Sequence, residues 1–265
     1  MGNRVALEAW FGQAGKVLLG YSGGVDSAVL AVVGTRALGP DRMTAVLGRS
    51  ASLADAQLEQ ARALAERFDI TLLEVDTAEL GDPDYRANRP DRCYFCKREL
   101  WDRLGALAAE RRDAIVVDGT NADDLREHRP GARAGLEHAV RSPLAELGWT
   151  KAAVRDAARD LGIPIWDAPS APCLASRIQY GLEVTPERLR QVELAEQFLR
   201  TLGVTGDLRV RHHGSRARIE VIPEMFALLA DHRSSIDAAL ADLGFAAVTV
   251  DPAGYRRGSL LPIAS

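Results

Sequence analysis

The chain has 265 residues, enough for one large or two modest domains, and its 47% hydrophobic content sets it apart from disordered and fibrous chains. A formal net charge of −4 removes any overall electrostatic pull toward nucleic acid or an anionic membrane. No apolar run approaches transmembrane length, the N-terminus lacks a secretory pattern, and three cysteines cannot close a disulfide set, so a cytoplasmic protein is expected. In chain order, the apolar stretch at Lys16–Tyr21 predicts a buried strand, and a helix follows over Ser27–Leu38. A strand at Met43–Leu47, an amphipathic helix across Leu53–Phe68 and a strand at Thr71–Val75 come next. Ile115–Asp118 reads as another strand. Thr150–Leu161 reads as a helix stopped by Gly162, with Pro164 beyond it.

These alternating units imply an α/β domain: a mostly parallel sheet with helices on both faces, whose ligands bind at the carboxyl ends of the strands. Asp167–Pro172 is rich in small residues and proline and reads as a linker or active-site loop. The pattern then changes. Thr185-Pro186 opens a helix running to Gly203, Asp207–Arg211 and Arg216–Ile222 form a hairpin about His213-Gly214, and a helix at Glu224–Leu243 precedes a strand at Ala246–Val250. The expected division is therefore residues 1–172, nucleotide-binding, and 173–265, a small α+β domain for substrate binding and assembly.

Between the first strand and its helix lies Ser22-Gly23-Gly24-Val25-Asp26-Ser27. Two glycines allow a sharp turn and close backbone approach, and the helix N-terminus offers free N–H groups to a phosphate-bearing ligand. The lysine of the common phosphate loop is absent; Asp26 instead suits a Mg²⁺ bridging phosphate oxygens. Gly119-Thr120-Asn121-Ala122-Asp123-Asp124 follows another strand at the same edge of the sheet, so Gly119, Asn121 and Asp123 could hold Mg²⁺ or a bound nucleotide. A ligand-free Asx turn fits the same residues.

Cys93 and Cys96 form C-Y-F-C between Arg92 and Lys97, and Cys173 stands in Pro172-Cys173-Leu174-Ala175-Ser176-Arg177. A C-x-x-C pair serves metal or redox chemistry, and three cysteines can hold a [4Fe–4S] cluster with one iron left open. Three unrelated buried thiols are the plain alternative. In the hairpin, Arg209 and Arg211 share one face with Arg216, Arg218 and Glu220. That face is either a site for an anionic substrate group or a solvated surface. Glu196 lies on the preceding helix.

SGGVDS resembles the loop of the PP-loop ATP pyrophosphatases. Together with RCYFCK, PCLASR, RVRHHGSRARIEV and the closing DPAGYRRGSL (Asp251–Leu260), it resembles the LarE family closely, over nearly the whole chain. Members are ATP-dependent sulfur transferases that build the nickel-pincer cofactor of lactate racemase. The resemblance implies a pyridinium dicarboxylate mononucleotide substrate, whose carboxylate is adenylated and then converted to a thiocarboxylate. It implies ATP and Mg²⁺ at Ser22, Gly23, Gly24, Val25, Asp26 and Ser27, and a reacting centre of Cys173, Ser176 and Arg177. Arg209 and Arg211 match the substrate-phosphate site, and Glu196 and Glu220 match acidic, metal-binding residues. In some members the cysteine matched by Cys173 gives up its sulfur and becomes dehydroalanine. In others three cysteines hold a [4Fe–4S] cluster that carries the delivered sulfide, and Cys93 and Cys96 beside Cys173 place this chain with those. Members form hexamers, so a homo-oligomer is implied. A tRNA thiolase, an amide-forming synthetase and a catalytically idle nucleotide-binding module are the alternatives. Net acidity counts against the first, and the cysteines have no use in the second.

Overall fold

A computed structural model describes residues 2–112, 114–126, 130–169 and 172–256. The chain divides into two compact units, Met1–Glu79 with Cys93–Ala171, and Leu80–Arg92 with Pro172–Ser265. Ser170 and Ala171 of the expected linker, and residues 257–260 of the closing segment, lie outside the described residues.

The first unit is built on a four-stranded parallel sheet in the order β3-β2-β1-β4. Its strands are β1 Lys16–Gly20, β2 Met43–Arg49, β3 Leu72–Asp76 and β4 Ala114–Val117. In register, Leu19 pairs with Ala45 on one side and with Val117 on the other. The helix Val25–Leu38 is apolar nearly all round, as a helix buried on every side must be, and Val29 to Val33 are closed to solvent. The helices Gly2–Gly12 and Lys151–Asp160 pack on it through Leu7, Phe11, Val154 and Ala158. On the opposite face the helix Arg92–Ala109 brings Trp101 and Leu104 against Leu18 and Val46. Helices thus cover both faces of a mostly parallel sheet, as the alternation implies. Asp118 falls beyond β4 rather than within it, and its carboxylate accepts from Thr120 Oγ1 and Ser142 Oγ, both at 2.7 Å.

The second unit holds a three-stranded sheet in the order β5-β6-β7. β5 Leu208–His213 and β6 Arg216–Val221 form an antiparallel hairpin about Gly214 (φ +69°), and β7 Ala247–Val250 runs parallel to β6. Leu208, Val210, Ile219 and Val221 face a core completed by Ala195, Leu199, Leu229, Ile236 and Leu240. The helix Pro186–Thr201 opens as its sequence dictates: the Thr185 side chain accepts the Arg188 N–H and proline takes the first helical position. The single helix expected at Glu224–Leu243 is instead a 3₁₀ turn, Pro223–Met225, and two helices, Phe226–Asp231 and Arg233–Asp242. The break at His232 re-aims the chain so that Leu229 before it and Ile236 and Leu240 after it all reach the core. The segment Leu80–Arg92 joins this unit through Asn88, which is buried at φ +51° and whose Nδ2 donates to the carbonyls of Gln179 and Leu182, each at 2.9 Å. Among the described residues, no helix is long and apolar enough to cross a membrane.

Candidate functional site

In the first unit, β1 delivers the chain at its carboxyl end into the loop Ser22–Gly24 and straight into the helix Val25–Leu38. Gly24 caps that helix without a side-chain hydrogen bond, which leaves the first-turn N–H groups facing the loop. The loop is cross-braced: Ser27 Oγ donates to Gly24 O at 3.0 Å and lies 3.2 Å from Ser22 Oγ. Gln60 Nε2 donates to Gly23 O at 3.0 Å. The two glycines have different reasons to be glycine. Gly23 sits at φ +70°, and a Cβ there would stand 2.7 Å from the Ala61 Cβ. A Cβ on Gly24 would meet only Ser22 Oγ, at 3.4 Å. Protein packing therefore demands the first glycine and leaves room at the second.

Asp26 lies one residue inside the helix and receives Asn121 Nδ2 on its Oδ1 at 2.9 Å. Burial raises its pKa above the ordinary 3.8; the Asn121 hydrogen bond opposes this, Asp124 adds to it, and Lys151 opposes it again. Asn121 is closed to solvent, and its Oδ1 accepts the backbone N–H groups of Asp123 at 3.0 Å and Asp124 at 3.1 Å. Asn121 thus forms the Asx turn and uses its amide to hold Asp26. Asp123 accepts the N–H of Lys151 at 2.8 Å, at the start of the helix Lys151–Asp160, and Lys151 Nζ stands 3.1 Å from Asp124 Oδ1. Gly119 passes so close that a Cβ would lie 3.1 Å from Ser27 N. Asp124 comes with the expected segment, whereas Lys151 reaches the loop from the start of the helix Lys151–Asp160, an approach that no local pattern indicates.

In the second unit, Cys173 precedes a short 3₁₀ turn, Leu174–Arg177. The Cys173 carbonyl accepts three donors: Ser176 N at 3.0 Å, Ser176 Oγ at 2.7 Å and Arg177 Nη1 at 3.0 Å. Arg177 also donates to Pro172 O and pairs with Glu196, whose Oε1 takes the Val210 N–H at 3.0 Å. Arg211 Nε donates to Glu220 Oε2 at 2.8 Å and its Nη1 to Ser176 O at 3.0 Å. Arg218 takes the other oxygen of Glu220 at 2.9 Å. Arg209 places its guanidinium 5.1 Å from the Tyr255 ring centre, and burial followed by the nearby Arg177 lowers its pKa. Arg209 and Arg211 are 7% and 6% exposed and Glu220 is 0% exposed, so these three are no solvated surface, whereas Arg216 of the same face is exposed. Glu196 and Glu220 stand as carboxylate partners of arginines.

Cys93 and Cys96 lie three apart on the helix Arg92–Ala109, a spacing that sets both on one face; Cys93 is exposed and Cys96 half-buried. They belong to the first unit and Cys173 to the second, and none of the three is in a disulfide. Two thiols at this spacing suit a soft metal centre. Among the described residues, no three His, Cys, Asp or Glu side chains gather as a metal site.

The parallel sheet, the glycine loop after its central strand and the half-buried acid in the following helix define a PP-loop α/β fold. The profile of the NAD synthase family matches residues 10–88. An uncharacterized protein of Synechocystis sp. is 43% identical over 96% of this chain and 95% of its own length. The pyridinium-3,5-bisthiocarboxylic acid mononucleotide synthase of Lactiplantibacillus plantarum is 33% identical over 92% of this chain and 88% of its own length. An NH(3)-dependent NAD(+) synthetase of Chlorobium phaeovibrioides is 30% identical over 58% of this chain. The chain belongs to the LarE family, that of the Lactiplantibacillus synthase.

Proposed function

We propose that the protein is an ATP-dependent sulfur transferase acting on a carboxylate of a pyridinium dicarboxylate mononucleotide, in the assembly of a nickel-pincer cofactor. The observation that carries this reading is the anchored turn at Cys173, whose carbonyl holds Ser176 and Arg177 in one constellation with Glu196 and Arg211. The likeness to the Lactiplantibacillus synthase, which is named for a bisthiocarboxylic product, supports it.

A carboxylate resists nucleophilic attack because its carbon is shielded by negative charge. Its oxygen attacks the α-phosphorus of ATP, pyrophosphate leaves, and the acyl-adenylate has AMP as a leaving group. A sulfur nucleophile then adds to the acyl carbon and AMP departs, leaving a thiocarboxylate. In the first unit, Gly23 and Gly24 let the backbone approach the phosphates, Ser22 donates its hydroxyl, Ser27 would do so on leaving Gly24 O, and Asp26 would hold Mg²⁺. Asn121 keeps Asp26 oriented. In the second unit, Arg209 and Arg211 hold the substrate phosphate, and Ser176 and Arg177 fix the Cys173 backbone. Metal binding by Glu196 or Glu220 would require each carboxylate to leave its arginine.

Cys93, Cys96 and Cys173 would hold a [4Fe–4S] cluster, which supplies sulfide when bound. The alternative source is the Cys173 sulfur itself. The first unit then serves the nucleotide and the second, which takes in Leu80–Arg92 besides the expected residues 173–265, the substrate and assembly, within a cytoplasmic homo-oligomer. Anaerobic purification with iron and sulfide analysis, followed by turnover with ATP and the mononucleotide, tests the proposal. Thiocarboxylate formed with release of AMP and pyrophosphate supports it; a nitrogen-containing product defeats it.

A further inference from the structure

The polar face of the second unit's sheet ends, at the hairpin turn, in a cavity of about 390 Å³ lined by Gln179, His213, Ser215, Arg216, Arg218 and Thr249. Three adjacent strands build it, since His213 pairs with Arg216 and Arg218 with Thr249. No carboxylate is among these lining residues. Glu220 is shared between Arg211 and Arg218, and Asp251 between Arg218 and Arg256, so neither neutralises Arg216. The His213 ring reports the resulting field. Burial lowers its pKa most; Arg218, Arg211 and Arg216 lower it further, and Glu220 alone opposes them. Two residues that line it carry a buried nitrogen with no hydrogen-bond partner among the described residues: His213 Nε2 and Arg218 Nε. His213 Nδ1 lies 2.7 Å from Gln179 Oε1, which can only accept, so Nδ1 carries the proton and Nε2 is bare.

We propose that this cavity binds a phosphate-bearing small molecule. Guanidinium groups bind phosphate oxygens in pairs, and the Ser215 and Thr249 hydroxyls and the Gln179 amide serve a polar remainder. Its volume falls at the lower end of small-molecule pockets, roughly 300–1,000 Å³, and exceeds what one phosphate needs. A bound dianion offsets the field around His213 and so favours the protonated ring. The site does not depend on the adenylation chemistry proposed above.

The test titrates the full chain with inorganic phosphate, pyrophosphate and AMP while following the His213 imidazole by NMR, assigned through His213→Gln. Reading that one ring separates this cavity from the loop at Gly23–Gly24, where AMP and pyrophosphate can also enter. The expected result is a saturable shift toward the protonated ring, absent with chloride at equal ionic strength and about tenfold weaker in affinity in Arg216→Ala. Exposed Arg216 can be replaced without opening the core. A response to inorganic phosphate alone identifies a free anion, and tighter AMP binding identifies a phosphorylated organic molecule; both support the site. No shift with any of the three, or equal affinities in the wild type and Arg216→Ala, overturns it.

Discussion

Arg177 and Glu196 meet edge to edge, Nε on Oε1 at 3.0 Å and Nη2 on Oε2 at 3.1 Å, with side chains 7% and 16% exposed. The pair ties the Cys173 turn to the helix Pro186–Thr201, and through the Val210 N–H to β5. Glu196→Ala leaves a buried guanidinium without its carboxylate and should cost about 3–5 kcal/mol. Glu196→Gln still accepts from Val210 and should cost less. Urea unfolding of the full chain measures both, and equal stability in all three proteins would remove the structural role.

Asp26→Asn separates stability from function. Burial disfavours the charged carboxylate, so its folded-state pKa is raised and its ionisation weakens the fold as pH climbs through and above 3.8. The variant should therefore be at least as stable as the wild type at neutral pH and lose that advantage in acid. Mg²⁺-dependent pyrophosphate release should nonetheless fall sharply, because an amide is a poor ligand for a hard cation. Unchanged release would take Asp26 out of the active site.

The loop glycines divide by mechanism. Gly23→Ala forces an alanine to φ +70° against Ala61 and should destabilise the first unit. Gly24→Ala fits the backbone, at φ −82°, and should fold normally. Weakened ATP binding in the Gly24 variant would then report ligand contact alone, and ATP titration of a protein with wild-type melting temperature decides it.

Much of this was legible in the sequence, for reasons that particular residues make plain. Lys16–Gly20, the glycine loop and the helix after it announce themselves by local pattern, as do Thr185-Pro186 and the hairpin around Gly214. Among the described residues, five helices leave no clear mark in the sequence pattern: Gly2–Gly12, Pro83–Arg86, Pro130–Glu137, Pro143–Glu146 and Arg92–Ala109, which carries both cysteines of the C-x-x-C pair. That last helix buries only a narrow stripe, including Trp101 and Leu104, so its periodicity is weak. Alternating charge in β5 and β6 reads equally as solvated surface or binding face. Only tertiary packing shows that Glu220 is wholly buried between Arg211 and Arg218. The hold of Asn121 on Asp26 spans 95 residues and leaves no local trace.

His212 is buried, with Nε2 2.9 Å from Gln191 Oε1, and burial pushes its pKa down to about 4. The unfolded chain binds a proton there near pH 6.5, so this residue's contribution is complete above that value and is lost as pH falls toward 4. Thermal melts across that range should show the decline in the wild type and a flatter profile in His212→Gln. Parallel profiles would assign the acid sensitivity elsewhere.

Arg209 and Arg211 should not behave alike. Arg211→Ala strands the buried Glu220 with one partner fewer and should chiefly destabilise the second unit. Arg209→Ala should instead weaken mononucleotide binding about tenfold with ATP binding intact. Calorimetric titration with each ligand checks this, and unaltered mononucleotide affinity would free Arg209 of the role.

The account rests most directly on the fate of the mononucleotide. The full chain, purified anaerobically and reconstituted with iron and sulfide, is incubated with MgATP, sulfide and the pyridinium dicarboxylate mononucleotide, and both the small molecule and the intact protein are weighed by mass spectrometry. The account predicts one carboxylate oxygen replaced by sulfur, repeated turnovers, unshifted protein mass, and loss of iron and activity when Cys93, Cys96 or Cys173 is changed to Ala. A protein lighter by about 34 Da after one turnover would show that Cys173 gave up its own sulfur, as its thiolate can. An unmodified mononucleotide, with ATP bound and no pyrophosphate released, would contradict sulfur transfer altogether.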